Sequence, residues 1–227
     1  MIGIIGAMSV ETDALKAMVE NATVEEISGV SFVKGRISGK DVVVAQCGIG
    51  KVFAALCAQT MILRYSVDEV INVGVAGSLS PSVGLLDIAV SDSVVEHDMD
   101  TSPLGDPVGL ISGINVVFLP ASESLTRRVV DAARALGKNC VQGVIASGDQ
   151  FIADSARKAY ITETFNAIAC DMEGAAIGHV CFVNRIPFTV IRSISDNASE
   201  DAGAMEYPTL CRHAANQSQE LIRKLLG

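Results

Sequence analysis

The feature that most constrains this chain is a set of apolar runs that do not alternate with polar residues: VVVA (42–45), INVGVA (71–76) and FTVIR (188–192). A strand with one solvated face shows a polar residue at every second position, so an unbroken run marks a strand covered on both sides by other elements. Similar short runs recur at IGIIG (2–6), LLDIAVSDSVVE (85–96), NCVQGVIASG (139–148) and AIACDM (167–172). Between them lie segments with helical spacing: SVETDALKAMVENA (9–22), KVFAALCAQTMILRY (51–65), ESLTRRVVDAARALG (123–137), EGAAIGHVCFVN (173–184) and a final helix around TLCRHAANQSQELIRKLL (209–226). This alternation predicts an α/β fold around a mixed, mostly parallel central sheet. The pairs SGV (28–30) and SGK (38–40), on either side of the alternating SFVKGRI, predict an antiparallel hairpin at one edge. No linker-like shift or repeat interrupts the pattern, so residues 1–227 read as a single domain.

With 227 residues, 49% of them apolar, the chain is long enough to bury a large core. No run of eighteen apolar residues is present, and MIGIIGAM carries no basic leader, so the expected location is the cytoplasm, with no membrane partner. A formal charge of −9, no tryptophan and no basic cluster argue against nucleic acid as a partner. The six cysteines, at 47, 57, 140, 170, 181 and 211, show no C-x-x-C pair and read as reduced core thiols. His97, His179 and His213 lack ligand spacing, so no metal site is expected; His179, among apolar residues, reads as a core histidine with its polar atoms satisfied. The segment 97–115 is too long and too rich in Pro, Gly and Asp for a plain connector, and such loops usually serve function or contact another chain.

In open α/β sheets ligands bind beyond the carboxyl ends of the strands. Here those ends read GAMSVE (6–11), CGIGK (47–51), GVAGS (74–78), SGDQFI (147–152), CDMEG (170–174) and SISDN (193–197), and three of them carry a carboxylate: Glu11, Glu173 and Asp196. Each has an ordinary alternative. Glu11 could simply oppose a helix dipole, Asp171 and Glu173 could cap a helix, and Asp196 could form an ion pair or an Asx turn. Glu173 stands out because the helix it opens has almost no polar residues, and Asp196 because Ser193, Ser195 and Asn197 add polar groups that packing does not require. Strict alternation would put Arg192 and Asp196 on one face of their strand. GIGK is not a phosphate loop, since Ala45 and Val52 stand where that pattern needs Gly and Ser or Thr; G-x-G-x-x-G and G-x-S-x-G are absent as well.

GIIGAMSVE, CGIGK, NVGVAGSL, SGDQFI, DMEGAAI and RSISD, in this order, resemble the nucleoside phosphorylase/nucleosidase superfamily, and within it the 5′-methylthioadenosine/S-adenosylhomocysteine nucleosidases. The resemblance covers essentially the whole chain. It implies a three-layer α/β/α fold of phosphorylase/hydrolase type, a homodimer, no cofactor, and hydrolysis of the N-glycosidic bond of 5′-methylthioadenosine and S-adenosylhomocysteine, with 5′-deoxyadenosine as a further substrate left open, to adenine and the thioribose. Carried over residue by residue, it implies Asp196 as the acid that protonates the purine N7 and Glu11 as the base that activates water. Glu173 would hold the ribose hydroxyls, Met172 would lie along the sugar, and Arg192 near the water and Glu173. Phe151 and Ile152 would hold adenine, Tyr207 would cover the sugar and thioether, and Val75, Ala76, Gly77 and Ser195 would line the substrate. Two departures from the family pattern are Val75, at a position that can offer a serine hydroxyl, and Leu104, where a partner chain can contribute an aromatic. A carboxylate at the first strand-to-helix turn favours water over phosphate, with Lys51 and Arg192 left as possible anion contacts. A phosphorylase, a futalosine- or AMP-type purine nucleosidase, and a catalytically silent nucleoside-binding protein are the alternative readings.

Overall fold

The computed structural model describes residues 1–196 and 207–227, apart from the side chains of Asp196, Tyr207, Pro208 and Cys211. Its strands are β1 (Ile2–Gly6), β2 (Glu20–Ile27), β3 (Val30–Ile37), β4 (Lys40–Gln46), β5 (Glu69–Ser78), β6 (Ile88–Glu96), β7 (Leu119–Pro120), β8 (Cys140–Ser147), β9 (Ala167–Asp171) and β10 (Phe188–Asp196). The helices are α1 (Ser9–Ala17), α2 (Lys51–Tyr65), α3 (Glu123–Ala135), α4 (Ser155–Phe165), α5 (Gly174–Asn184) and α6 (Tyr207–Leu226). All belong to one sheet and its cover, in the strand order β10-β6-β8-β9-β5-β1-β4-β3-β2, with β7 beside β6.

The unbroken apolar runs are covered on both sides, as their composition requires. On one side Ala54, Cys57, Ala58 and Met61 of α2 and Ala175, Ile177 and Cys181 of α5 pack over Ile5, Val43 and Val190. On the other side Leu15 of α1, Leu125 and Val129 of α3 and Leu221 and Ile222 of α6 pack over Ile4, Val44, Val73 and Ile191. These are the three expected layers. Parallel pairing joins β1 to β4 and β5, β5 to β10, β6 to β8 and β8 to β9. Antiparallel pairing of β10 with β6 and of β5 with β9 then closes β5, β9, β8, β6 and β10 into a ring. Small side chains from these strands, including Ala76, Ala89, Ala169 and Ile194, pack together beside Val141.

The edge hairpin is larger than expected, a three-stranded meander β2-β3-β4. Both turns are Ser-Gly with positive φ at each central residue, 53° and 75° at Ser28 and Gly29, 49° and 76° at Ser38 and Gly39. Those are the two left-handed positions that a tight two-residue hairpin demands. The helical spacing of 9–22 overstates α1, which ends at Ala17 because residues from Glu20 onward join the sheet. Gly35 permits that crossing, since a Cβ there would lie 2.4 Å from the Glu20 carbonyl oxygen and 2.5 Å from Val19 Cγ1. Helix α4 has no counterpart among the segments read as helical from sequence. Its signal was Asp154, whose side chain accepts the Arg157 N–H at 2.7 Å as an N-cap.

Helix α5 lies so close to the sheet that a Cβ at Gly178 would come within 2.7 Å of Val94 Cγ2 and 2.8 Å of Phe188 Cε2. Substituting Gly178→Val should therefore overpack this layer and lower the unfolding free energy by about 1–3 kcal/mol, measured by denaturant titration. Unchanged stability would show that the helix can move away from the sheet at little cost.

Candidate active site

Six strands deliver residues at or beyond their ends to one cavity. It is lined by Met8 and Glu11 after β1, Ile49 after β4, Val75, Ala76 and Gly77 on β5, Gln150, Phe151 and Ile152 after β8, Cys170, Asp171, Met172 and Glu173 around the end of β9, and Ser195 on β10. The structure thus brings together Glu11, Val75, Ala76, Gly77, Phe151, Ile152, Met172, Glu173 and Ser195 of the residues singled out from sequence. Arg192 lies buried behind the lining. Leu104 does not line the cavity of its own chain; it sits in a single 3-10 turn, Ser102–Leu104, and is 83% exposed. The side chains of Asp196 and Tyr207 lie outside the described residues.

Glu11 stands in the first turn of α1. Its Oε2 accepts the N–H groups of Ala7 at 2.8 Å and Met8 at 2.9 Å, and its Oε1 accepts the Val75 N–H at 3.1 Å. One carboxylate thereby closes the β1–α1 turn and ties it to β5. Burial pushes its pKa up, and the Met8 N–H, the Arg192 charge and the Val75 and Ala7 N–H groups pull against that rise. Gly74 makes the arrangement possible, because a Cβ there would lie 2.9 Å from Glu11 Oε1 and 3.3 Å from Arg192 Nη1.

Arg192 is only 1% exposed, and its Nε donates to Asp171 Oδ2 at 2.8 Å. Its Nη1 donates to the Ile191 carbonyl at 3.0 Å, and its Nη2 reaches Asn72 Oδ1. Asp171 also accepts from Ser147 Oγ and from the Gly174 N–H at 3.2 Å, so it both caps α5 and pairs with the arginine. Sequence reading saw only the cap. A register shift lies between Ile194 and Asp196, where Arg192 aligns with Gly74 and Asp196 with Gly77, leaving Ser195 as the extra residue; the expectation that Arg192 and Asp196 share a face lies outside the described residues.

Glu173 precedes α5 and is 7% exposed; its Oε1 accepts the Gly50 N–H at 2.8 Å. Burial first, and then the charge of Asp171, raise its pKa to about 7, with Arg192 and the Gly50 N–H acting in the opposite direction. Lys51, left open as an anion contact, is already paired. Its Nζ lies 2.7 Å from Asp98 Oδ1 and 3.1 Å from Glu96 Oε2. His179 proves to be partnered but not core: its Nδ1 lies 2.9 Å from Glu96 Oε1, and its side chain is 33% exposed. Among the described residues no group of three or more His, Cys, Asp and Glu side chains is placed to hold a metal ion, and no helix is long and apolar enough to cross a membrane.

The model of the Phosphorylase superfamily matches residues 1–227. The chain belongs to that superfamily. It is 41% identical over 203 residues, 88% of this chain and 87% of the relative, to the 5′-methylthioadenosine/S-adenosylhomocysteine nucleosidase of Shewanella sp. strain W3-18-1. Among solved superfamily structures, a Helicobacter pylori MTAN mutant with 5′-methylthioadenosine in its active site superposes with a TM-score of 0.93 at 36% identity, covering 99% of this chain and 96% of that one. A futalosine hydrolase of Helicobacter pylori strain 26695 superposes with a TM-score of 0.92, also at 36% identity, over 99% of this chain and 96% of its own.

The raised pKa of Glu173 makes a stability prediction with a definite sign. Between its ordinary 4.5 and about 7 the folded state holds a proton that the unfolded state releases, so stability falls as pH rises through that window. Glu173→Gln keeps the acceptor for Gly50 and removes the titration. The variant should match the parent at pH 4 and exceed it at pH 8 by on the order of 1–3 kcal/mol, read as a gain of a few degrees in Tm. A gain of equal size at both pH values would contradict the burial of an ionising group.

Proposed function

We propose that this protein hydrolyses the N-glycosidic bond of 5′-methylthioadenosine and S-adenosylhomocysteine, releasing adenine and the corresponding thioribose. The observation that carries this reading is the convergence of the Glu11 and Glu173 carboxylates on one cavity, with Arg192 already paired to Asp171 and Lys51 to Asp98 and Glu96. The relatives named nucleosidases support it across most of the chain.

Cleavage leaves negative charge on the departing adenine and an oxocarbenium-like cation on the sugar, so an acid belongs at the base and carboxylates at the ribose. Asp196, at the end of β10, takes the role of acid toward the purine N7. Glu11 takes the role of base. Its Oε2 has both lone pairs committed to Ala7 and Met8, while Oε1 gives one to Val75 and keeps the other for a proton of the attacking water. Burial raises its basicity, as the role of general base requires. Glu173 spends one lone pair on Gly50 and has the rest for the ribose hydroxyls. Phe151 and Ile152 would hold adenine, Met172 and Tyr207 the sugar and thioether, and Val75, Ala76, Gly77 and Ser195 complete the wall. With Val75 in place of a hydroxyl residue and its N–H held by Glu11, no side-chain donor from this position assists the water.

A phosphate nucleophile would bring at least one full negative charge beside Glu11 and Glu173 with no uncommitted cation at Arg192 or Lys51 to receive it. Incubation with 5′-methylthioadenosine, with and without phosphate, tests this directly: free thioribose and adenine are expected in both cases, and a ribose phosphate would reject hydrolysis. Futalosine, run in parallel, separates the second nucleosidase reading. Asp196→Asn and Glu11→Gln should each lower kcat by at least about a hundredfold in folded protein. Full activity in either would remove that residue from its role.

The protein is proposed to act as a cytoplasmic homodimer. Val52, Phe53, Leu56 and Leu63 leave a row of apolar side chains on the outer face of α2, each more than half exposed. A second copy would cover them, and exposed Leu104 would then reach a partner's cavity. Sedimentation should give a dimer that Leu56→Asp converts to monomer; a monomeric parent protein would overturn this assembly.

A further inference from the structure

Helix α2 begins with two adjacent N–H groups that donate to two different carboxylates. The Gly50 N–H donates to Glu173 Oε1 at 2.8 Å, and the Lys51 N–H donates to Asp149 Oδ1 at 2.7 Å. Asp149 lies 98 residues away in sequence, in the loop after β8, and does not line the cavity. A closed ring of contacts holds it there. Its own N–H donates to Asp98 Oδ2 at 2.9 Å, while Asp98 Oδ1 accepts from Lys51 Nζ at 2.7 Å. Lys51 Nζ also reaches Glu96 at 3.1 Å, and Glu96 in turn is bonded to His179 on α5. Gly50 itself has φ 99°, open only to glycine at low cost, and a Cβ there would lie 3.0 Å from Asp149 Oδ1. The Asp149 carboxylate therefore packs on the bare Cα of the residue whose amide points at Glu173.

We propose that Asp149 is a positioning residue for ribose recognition: by fixing the Gly50–Lys51 turn it aims the Gly50 N–H at Glu173 and so orients the Glu173 carboxylate toward the sugar hydroxyls. The proposal rests on the reading of Glu173 as the ribose-binding carboxylate. Asp149 touches neither substrate nor the reacting atoms, so its effect must pass through one amide and one acid.

The test is steady-state kinetics of the intact enzyme and its Asp149→Ala, Asp149→Asn and Glu173→Gln variants, with 5′-methylthioadenosine and with its 3′-deoxy analogue. Asp149→Ala removes the acceptor for the Lys51 N–H. Its KM for 5′-methylthioadenosine should rise roughly tenfold, with kcat within about threefold, and its preference for the hydroxylated substrate should shrink by a similar factor. Asp149→Asn retains Oδ1 as an acceptor and should stay within about threefold of the parent. Both variants remove the same negative charge, so a difference between them reports the hydrogen bond. The other groups facing Glu173, namely Asp171, Arg192, Glu11 and Cys47, are unchanged in both. With the Gly50 amide less well aimed, the acid limb of kcat/KM should lie at higher pH in Asp149→Ala than in Asp149→Asn. Equal losses on the two substrates would mean that Asp149 merely holds the loop bearing Phe151, and identical behaviour of the Ala and Asn variants would remove the hydrogen bond from the account; either result overturns the proposal. Glu173→Gln tests the reading beneath it. If that variant keeps the parent's preference for the 3′-hydroxyl, the role of Glu173 fails whatever Asp149 does.

Discussion

A guanidinium that is 1% exposed cannot remain unpaired, and much of the site is organised around satisfying Arg192. Its two main partners arrive from different strands, Asp171 at the end of β9 and Asn72 on β5, and each is itself tied further. Asp171 takes Ser147 Oγ from β8 and the first N–H of α5, and the Asn72 amide donates to the Ile5 carbonyl of β1 at 2.8 Å. Five strands thus meet through one side chain of β10. Breaking such a pair by removing one partner typically costs about 3–5 kcal/mol, because the other charge is left buried alone. Removing Arg192 would take away the positive charge that opposes Asp171 in its effect on Glu173 and that offsets the burial of Glu11.

The same arginine lets three acids of one cavity behave differently. Asp171 is bonded directly to it. Glu11 feels it at longer range but has three N–H groups of its own, whereas Glu173 has one N–H and the charge of Asp171 beside it. Burial and the charge of Asp171 raise the Glu173 pKa to about 7, and burial raises that of Glu11 as well. The proposed roles ask one pocket to hold a base and a hydroxyl-binding anion together. They also bear on the nucleophile. In the proposed role of Glu11, water can give it a proton without carrying charge into the cavity, and phosphate cannot.

What could be read from the amino-acid string depended on whether its cause was local. The doubly covered strands, α2 to the residue, and the Ser-Gly hairpin turns follow from composition and backbone preference over a few neighbouring residues. So did the suspicion attached to Glu173, a lone acid opening an apolar helix. Tertiary causes were invisible. Helix α1 stops at Ala17 because the chain must cross Gly35 to enter the sheet, against a helical pattern that runs on for five more residues. Counting in twos could not foresee the extra residue at Ser195, which shifts the register of β10 against β5 before Asp196. Asp149, Asp98 and the pairing of Asp171 with Arg192 were missed for the same reason: their partners lie 21 to 98 residues away, and nothing beside them in sequence announces the contact.

The distribution of small residues shows how the fold tolerates so much buried acid. Gly74 leaves the room in which Glu11 and Arg192 approach each other. Gly174 makes space for Asp171, since a Cβ there would come within 2.7 Å of Asp171 Oδ2. In each case a missing methyl lets backbone and carboxylate come within hydrogen-bonding range, so that an N–H takes the place that water would have held. Burial then does not strand the charge, because each of these carboxylates keeps a donor when the cavity excludes solvent. The apolar clusters above and below the sheet supply the stability that such a site consumes. They contain no part of the chemistry, and the pocket sits where the strands run out of them.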